Sequence, residues 1–480
     1  MPAQTRKITV DTFALFLGRA VGLLLGMVRL NFLARYLGLS NFGILNSAIF
    51  FVSLFLPVFD LGISQILTRE IVRKPDQGNR LLGQAILLKV FIAVASSILV
   101  IGLAVVSPFD RNTIWAVVLT TIAIAINSMS TAYLSAFQAY RKMVTVSLVT
   151  MFADLALSVV LIVMLPMMPL MSTVLLCTIA VAVINMVFLV MLYRRSLGKL
   201  IMRMNSSDWL SMILGGLPIA VSSFCAAVYM YVSPNILKYA RGDIEVGIYG
   251  AGYKLISVFL LIPTVLSQVL YPLFSEFHAH SRHKLGKALD DALRVTFEIS
   301  LPLAVGTVVL APAIIAFLFP PEYAGSATVL RAIIIGNVVG YQAWVLYAFQ
   351  LATGNQKFCM WNSLIVAVLV TATSFGVVPR FGYVGVALIV GGTDVILFIN
   401  HAIYAKHLGY SIIKPGIVVR VMSSSTLMFI VVWYLRNQFL PVPIIAGMLV
   451  YGVALYFSGS IGEQERSIIG KIMRRVGMGN

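Results

Sequence analysis

The sequence predicts an all-α polytopic membrane protein of about fourteen spanning helices. Three observations lead there. Of 480 residues, 60% are hydrophobic and only 11% are charged, less than half the roughly 25% of an ordinary soluble domain. Mean hydropathy is +0.97. A soluble fold must keep much of its exterior polar, so the composition argues against a soluble enzyme, a disordered chain and a disulfide scaffold. Apolar runs of about twenty residues, each enough to cross hydrocarbon, recur along the whole chain. Basic residues collect in alternate connections between them.

The runs cover residues 13–33, 44–67, 82–105, 114–137, 144–165, 171–193 and 209–232 in the first part of the chain. They continue at 248–270, 295–319, 327–351, 360–378, 384–405, 417–435 and 442–457. The first follows MPAQTRKITVD without a small-residue cleavage site, so it reads as a retained helix and not a signal peptide. The second contains Pro57 three residues before Asp60, which predicts a kink, because proline donates no helical hydrogen bond. Pro166 and Pro169 divide the fifth run from the sixth. The connection around 277–293 is short, charged and amphipathic. No connection is long enough to fold as a domain of its own.

With the N-terminus inside, 24 basic residues fall on the inner side. Six fall outside (Arg35, Arg111, Lys238, Arg241, Arg380 and Arg436), and five lie within runs (Arg19, Arg29, Lys89, Lys254 and Arg331). This asymmetry is the positive-inside signal. It places both termini in the cytoplasm and accounts for the net charge of +18 without nucleic acid. Cys177, Cys225 and Cys359 lie in or beside apolar runs and suggest neither disulfides nor a metal site. His278, His280 and His283 have no accompanying cysteines and read as a solvated cytoplasmic segment.

The sequence also repeats. Phe42-Gly43-Ile44-Leu45-Asn46 opens the second run and Val246-Gly247-Ile248-Tyr249-Gly250 opens the eighth, 204 positions on. Leu33-Ala34-Arg35-Tyr36 matches Ile236-Leu237-Lys238-Tyr239 just upstream. Lys89-Val90 matches Arg294-Val295, and Ala136-Phe137-Gln138 matches Ala348-Phe349-Gln350. The matches keep their order at nearly constant offset, which argues for duplication over chance. Six spans are repeated and two are added. Six is even, so the halves are parallel. The expected domains are an N-lobe (1–200), a C-lobe (201–408), and two further helices with a cytoplasmic tail (409–480), the lobes facing each other across a cleft.

Arg35-Tyr36-Leu37-Gly38-Leu39-Ser40-Asn41-Phe42-Gly43 resembles the first outer loop of polysaccharide-biosynthesis membrane proteins. Phe59-Asp60-Leu61-Gly62-Ile63-Ser64-Gln65, with Thr68-Arg69-Glu70-Ile71-Val72-Arg73, resembles the end of their second span. Thr353-Gly354-Asn355-Gln356-Lys357 resembles their loop after span 10. The chain is similar throughout to the oligosaccharide flippases (Wzx-like) of the multidrug/oligosaccharidyl-lipid/polysaccharide (MOP) superfamily. The resemblance implies two six-helix lobes in a V around a central cavity, and alternating access. It implies that a polyprenyl-diphosphate-linked glycan moves from the inner to the outer leaflet of the cytoplasmic membrane, for O-antigen, exopolysaccharide or a related surface polymer. A glycan polymerase and other assembly proteins are the expected partners, beside membrane lipids.

A sugar diphosphate cannot cross hydrocarbon unaided, because its polar groups would lose their partners in water. Basic residues inside spans are therefore the candidates for holding the head, each costing about 2.5–3.5 kcal/mol at mid-bilayer on insertion scales. Gly18, Gly22, Gly26 and Arg29 share one helix face, as either a cavity stripe ending in a phosphate-binding arginine or a small-residue packing face. Arg19 is a second candidate, or a snorkelling side chain. Lys254 pairs with Phe50 in the repeat, so its charge is not duplicated. Arg331 is a candidate, with an interfacial anchor or a partner of Glu322 as the alternative. Lys89 is expected to snorkel to the inner interface. Asn127, Asn185, Asn337 and Gln342 can hydrogen-bond either sugar hydroxyls or neighbouring helices. Asp60, Asp154 and Asp394 are candidates for coupling to protons or sodium, the only cofactor-like role expected. Asp60 can instead pair with Arg19. Glu298 reads as a local pair with Arg294 four residues away.

Three functions compete. A lipid-linked oligosaccharide flippase leads. A cation-coupled drug exporter of the same superfamily would want an acidic cavity, and this chain offers more basic than acidic candidates. A membrane glycan polymerase or glycosyltransferase would place its groups on a substantial loop. Asp243/Glu245, Asp290/Asp291 and Glu463/Glu465 lie only in short loops or the tail, so no enzyme is expected.

Overall fold

A computed structural model describes residues 2–202, 206–412 and 415–459. The side chains of residues 2–21, 23, 24, 206 and 207 are outside the description. The chain runs as helices α1 (Pro2–Leu54), α2 (Leu56–Asp60), α3 (Ile63–Arg73), α4 (Gly78–Val106), α5 (Arg111–Ala139), α6 (Met143–Met167) and α7 (Met171–Ser196). It continues as α8 (Ser206–Arg241), α9 (Asp243–Phe259), α10 (Leu261–His280), α11 (Arg282–Leu318), α12 (Ser326–Ala352), α13 (Gln356–His407), α14 (Pro415–Leu435) and α15 (Pro441–Ser458). Among the described residues there is no strand, and twelve helices are long and apolar enough to cross a membrane. The 52-residue α13 is broken at Gly382 and holds two of the expected spans. α1 is broken at Gly38, where the first expected span gives way to the second. About fourteen spans is therefore the right description.

The expected break after Pro57 is present. α2 ends at Asp60, and Leu61 and Gly62 adopt left-handed φ of 45° and 72° before α3 resumes. The divide between α6 and α7 falls at residues 168–170, as Pro166 and Pro169 suggested. The charged connection after the eighth span is almost wholly helical. Only Ser281 interrupts it, and its hydroxyl accepts from the Lys284 N–H at 3.3 Å to cap α11.

The backbone carries the repeat. Gly38 (φ 68°) and Gly242 (φ 81°) stand 204 positions apart, each ending one helical segment and beginning the next. Pro57 and Pro263 interrupt the helices that follow. Each break leaves a main-chain carbonyl for another helix to satisfy. The Phe59 carbonyl accepts from the Ser128 hydroxyl at 2.9 Å. The Phe259 carbonyl, whose helical donor would be the missing N–H of Pro263, accepts from the Tyr341 hydroxyl. Ser128 and Tyr341 are themselves 213 positions apart, close to the offset between the fourth and tenth spans.

The chain divides into two compact units, Met1–Ala251 with Ser363–Ile389 and Gly252–Asn362 with Val390–Asn480. The first has a core of aliphatic residues around Tyr133, Phe137 and Tyr193, whose rings meet edge to face. The second has a core built on Phe274, Leu289, Leu346 and Phe349, and a smaller cluster in which Met428 and Val432 of α14 pack on Val309 and Leu310 of α11.

Candidate functional site

In the first unit, repeat-related helices meet backbone to backbone. A Cβ on Gly43 of α1 would lie 1.9 Å from the Asp243 carbonyl oxygen of α9, and one on Gly247 would lie 2.8 Å from the Leu39 carbonyl oxygen. Residues 39 and 43 correspond to 243 and 247 at the offset of 204, so each repeat offers the other the same glycine and the same carbonyl. Beside the contact, buried Lys238 holds two carboxylates. Its Nζ donates to Asp110 Oδ1 and Thr113 Oγ1, both at 3.0 Å, and pairs with Asp243 Oδ1. The Ser47 hydroxyl donates to Asp243 at 3.4 Å, and Phe109 stacks on Tyr239 with centroids 5.1 Å apart. Burial pushes the Asp110 carboxyl upward, but hydrogen bonds from Thr113 and Lys238 and the Lys238 charge outweigh it and hold Asp110 below the usual carboxylate range. A second tight contact joins the α2–α3 break to α8. A Cβ on Gly216 would lie 2.2 Å from the Leu61 carbonyl oxygen, and one on Gly62 2.5 Å from that of Gly216.

Asp60 does not stand alone. Lys89 of α4, expected to snorkel, is fully buried and points inward at Asp60. Its ammonium also donates to the Ser64 and Thr131 hydroxyls at 2.9 and 2.8 Å and to the Ser128 carbonyl at 2.9 Å. Four acceptors from α2, α3 and α5 replace its water, which is why the side chain turns in. Ser64 also donates to Asp60, leaving that side chain 27% exposed. Sequence reasoning missed this cluster, although Ser64, Ser128 and Thr131 are its signal: hydroxyls in apolar runs at the level of an intramembrane charge.

Arg29 lies on α1 with its Nη1 buried and without a hydrogen-bond partner. Asp154 of α6 is within electrostatic reach, and its carboxylate lies against Gly22, where a Cβ would sit 2.8 Å from Oδ2. The glycine stripe thus lets α6 bring a carboxylate up to the helix that carries the arginine, while Gly26 faces open space. Gly18 and the Arg19 side chain lie outside the described residues. Asn127, mid-span on α5, is exposed.

In the second unit, Lys254 is half-buried on α9. Arg331, a head-group candidate with an interfacial anchor or a partner of Glu322 as the alternative, meets a backbone carbonyl. Pro312 leaves the Val308 carbonyl of α11 without its helical donor, and Arg331 Nε supplies one at 2.9 Å. Gln342 is 1% exposed. With its amide oriented to satisfy both ends, it donates to Thr296 and the Leu293 carbonyl and accepts from the Phe297 N–H, so α11 takes both its donors and one of its two lone pairs. Asp394 packs on Gly340 of α12, where a Cβ would meet its carboxylate at 2.8 Å. Asn337 is buried with its Nδ2 unpartnered, and Asn185 is half-buried on α7. Arg294 and Glu298 form the expected pair at 3.9 Å.

The profile of the polysaccharide biosynthesis protein family matches residues 8–278, more than half of the chain. The chain belongs to that family. The profile of the lipid II flippase MurJ matches residues 256–453. Together the two place this polysaccharide biosynthesis protein in the MOP-superfamily flippase group as a multi-pass membrane flippase or transporter. Its fold is similar to that of a lipid II flippase MurJ in an inward closed conformation, with TM-score 0.75 at 17% identity over 93% of this chain and 98% of that one. It is also similar to an inward-facing multidrug resistance MATE family transporter (TM-score 0.66, 13% identity, 81% and 94%). A third likeness is to a MOP superfamily transporter from Pyrococcus furiosus (TM-score 0.62, 13% identity, 84% and 95%). No curated protein sequence matches the chain.

Proposed function

We propose that the protein flips a polyprenyl-diphosphate-linked oligosaccharide from the inner to the outer leaflet of the cytoplasmic membrane by alternating access, with both termini inside. The observation that carries the reading is the buried Nη1 of Arg29. A guanidinium is costly in a membrane interior, and a planar donor with an unused N–H suits a diphosphate oxygen. Gly26, facing open space one turn away, leaves room for the head. Exposed Asn127 supplies an amide for sugar hydroxyls, and Arg19 and Lys254 are the further basic contacts. Asp154, within reach of Arg29, and Asp394 remain the carboxylates for proton or sodium coupling. In this orientation the Gly43–Gly247 contact and the Lys238 cluster form the outer seal between repeats, which must open for the glycan to leave. An apolar groove of about 710 Å³ between α14 and α15, lined by Leu427, Ile430, Leu449 and Val453, suits a prenyl chain. Asp60 is taken up by Lys89, which weakens the drug-exporter reading, since an exporter of cations needs free carboxylates.

The test uses full-length protein in liposomes and a fluorescent polyprenyl-diphosphate-linked disaccharide whose leaflet is read by membrane-impermeant quenching. Wild type is expected to exchange the probe between leaflets without changing its mass, and Arg29→Ala to slow exchange at least tenfold while remaining folded. Undiminished exchange in Arg29→Ala removes that residue from the site. A wild type that moves no probe overturns the reading.

A further inference from the structure

The second unit contains a buried imidazole that the proposed function does not use. His401, in the second segment of α13, is 3% exposed, whereas the chain's other histidines (His278, His280, His283 and His407) are exposed. Its Nδ1 faces Gln350 Oε1 of α12, and its Nε2 lies 3.2 Å from Asn362 Nδ2, in the first segment of α13. Both amides are oriented by other partners. Gln350 Nε2 donates to the His401 carbonyl at 2.9 Å, so its oxygen must face the ring. Asn362 Oδ1 accepts from Asn400 Nδ2 at 2.7 Å, which in this arrangement turns its amino group to the ring. An amide oxygen only accepts and an amide nitrogen only donates. The wiring therefore specifies a neutral ring with its proton on Nδ1 and its lone pair on Nε2.

We propose that His401 is a proton-binding site whose occupancy is relayed through two amides. A proton from hydronium adds to the Nε2 lone pair and leaves water; no other bond changes. The new Nε2–H then faces the Asn362 amino group, donor against donor. Asn362 turns over, presenting Oδ1 to the ring and its amino group to Asn400, and Asn400 turns in its place. The imidazolium so formed has amide oxygens on both nitrogens. It also meets the rings of Tyr347 and Phe358 at steep angles, with centroids 5.9 and 5.7 Å away.

The titratable neighbours are Tyr347 on α12, Cys359 on the first segment of α13, whose Sγ lies 3.9 Å from Gln350 Oε1, and Tyr404 on the segment of His401. Tyr404 stacks on Phe358 and donates to Asn355. From α10 and α11 the faces packed around Ala402 and Ala405 are apolar, Phe274, Leu285 and Leu289 among them. Among the described residues no carboxylate hydrogen-bonds or pairs with the ring, so the two amides are what hold the charge. The relay crosses α12 and both segments of α13, and its proton changes how those three segments are tied. The inference goes beyond the flippase reading and rests on it only for what the proton would drive.

The experiment reads the proton and not transport. Full-length protein carrying 15N-labelled histidine is placed in liposomes and followed by solid-state NMR from about pH 8 to about pH 4, the range in which imidazoles change charge. His401→Gln assigns the buried signal; if that variant does not fold, replacing the four exposed histidines by glutamine assigns it instead. The expected result is a neutral, Nδ1-protonated ring at high pH that becomes doubly protonated while the protein stays folded. Asn400→Ala removes the amide that turns with Asn362, so it is expected to shift the proton affinity of His401 by about threefold or more. A ring that stays neutral at every pH at which the protein is folded overturns the site. A titration midpoint unmoved by Asn400→Ala overturns the relay. Neither result depends on glycan movement, so failure of the flippase reading is separately visible.

Discussion

Replacing Arg331 by leucine separates a structural arginine from a substrate-binding one. Its Nε donates at 2.9 Å to the carbonyl of Val308, which has no helical donor because residue 312 is proline. Removing one partner of a buried hydrogen bond costs about 1–3 kcal/mol, and measured interhelical bonds in membranes average about 0.6 and reach about 1.7. The expected loss for Arg331→Leu is therefore about 1–2 kcal/mol. In a Pro312→Ala background residue 312 regains its N–H and can satisfy Val308 itself, so the same substitution should cost about 1 kcal/mol less. Reversible unfolding of the wild type, both single variants and the double variant in mixed micelles measures that coupling. Additivity within about 0.3–0.5 kcal/mol would refute the reasoning. Transport by the double variant adds a second reading: recovery with stability marks Arg331 as structural, whereas a stable but inactive double variant returns it to the binding site.

Lys89→Met leaves half-buried Asp60 beside an apolar side chain; breaking a fully buried pair costs about 3–5 kcal/mol, so with Asp60 27% exposed the lower end applies, and Asp60→Asn in the same chain should restore most of it in the same unfolding assay. Asp110 titrates below its ordinary value of about 3.9 in the folded protein, so its contribution is fully present above that pH and disappears as pH falls through the lower folded value. Wild type should accordingly exceed Asp110→Asn in thermal stability at neutral pH, with the gap closing below about pH 4; a gap constant with pH would contradict the Lys238 cluster.

The helical plan was legible because hydrocarbon thickness imposes a length and a composition on every span. The repeat was legible because Gly43 and Gly247 keep the residue that a backbone contact demands. What escaped was each pairing between helices. Lys89 sits in an apolar run as a snorkelling lysine would, and only the fold brings Ser64, Ser128 and Thr131 around it. Arg331 left a usable trace, since Pro312 within a span announces a carbonyl in need of a donor. Gln342 left none, because an amide set into the backbone of α11 and an amide facing a sugar look alike along the chain. His401 was passed over because its partners lie on two other helical segments, at no fixed spacing from it.

On the flippase reading proposed above, the repeats must part at the Gly43–Gly247 contact for the glycan to leave. Ser47 and Asp243 flank that contact, their side chains 3.4 Å apart. Ser47→Cys with Asp243→Cys, in a chain whose own three cysteines are alanine, allows the contact to be closed by a disulfide or a short thiol crosslinker and reopened by reductant. Movement of the lipid-linked probe in liposomes should stop on crosslinking and return on reduction. Undiminished movement in the fully crosslinked protein would contradict the claim.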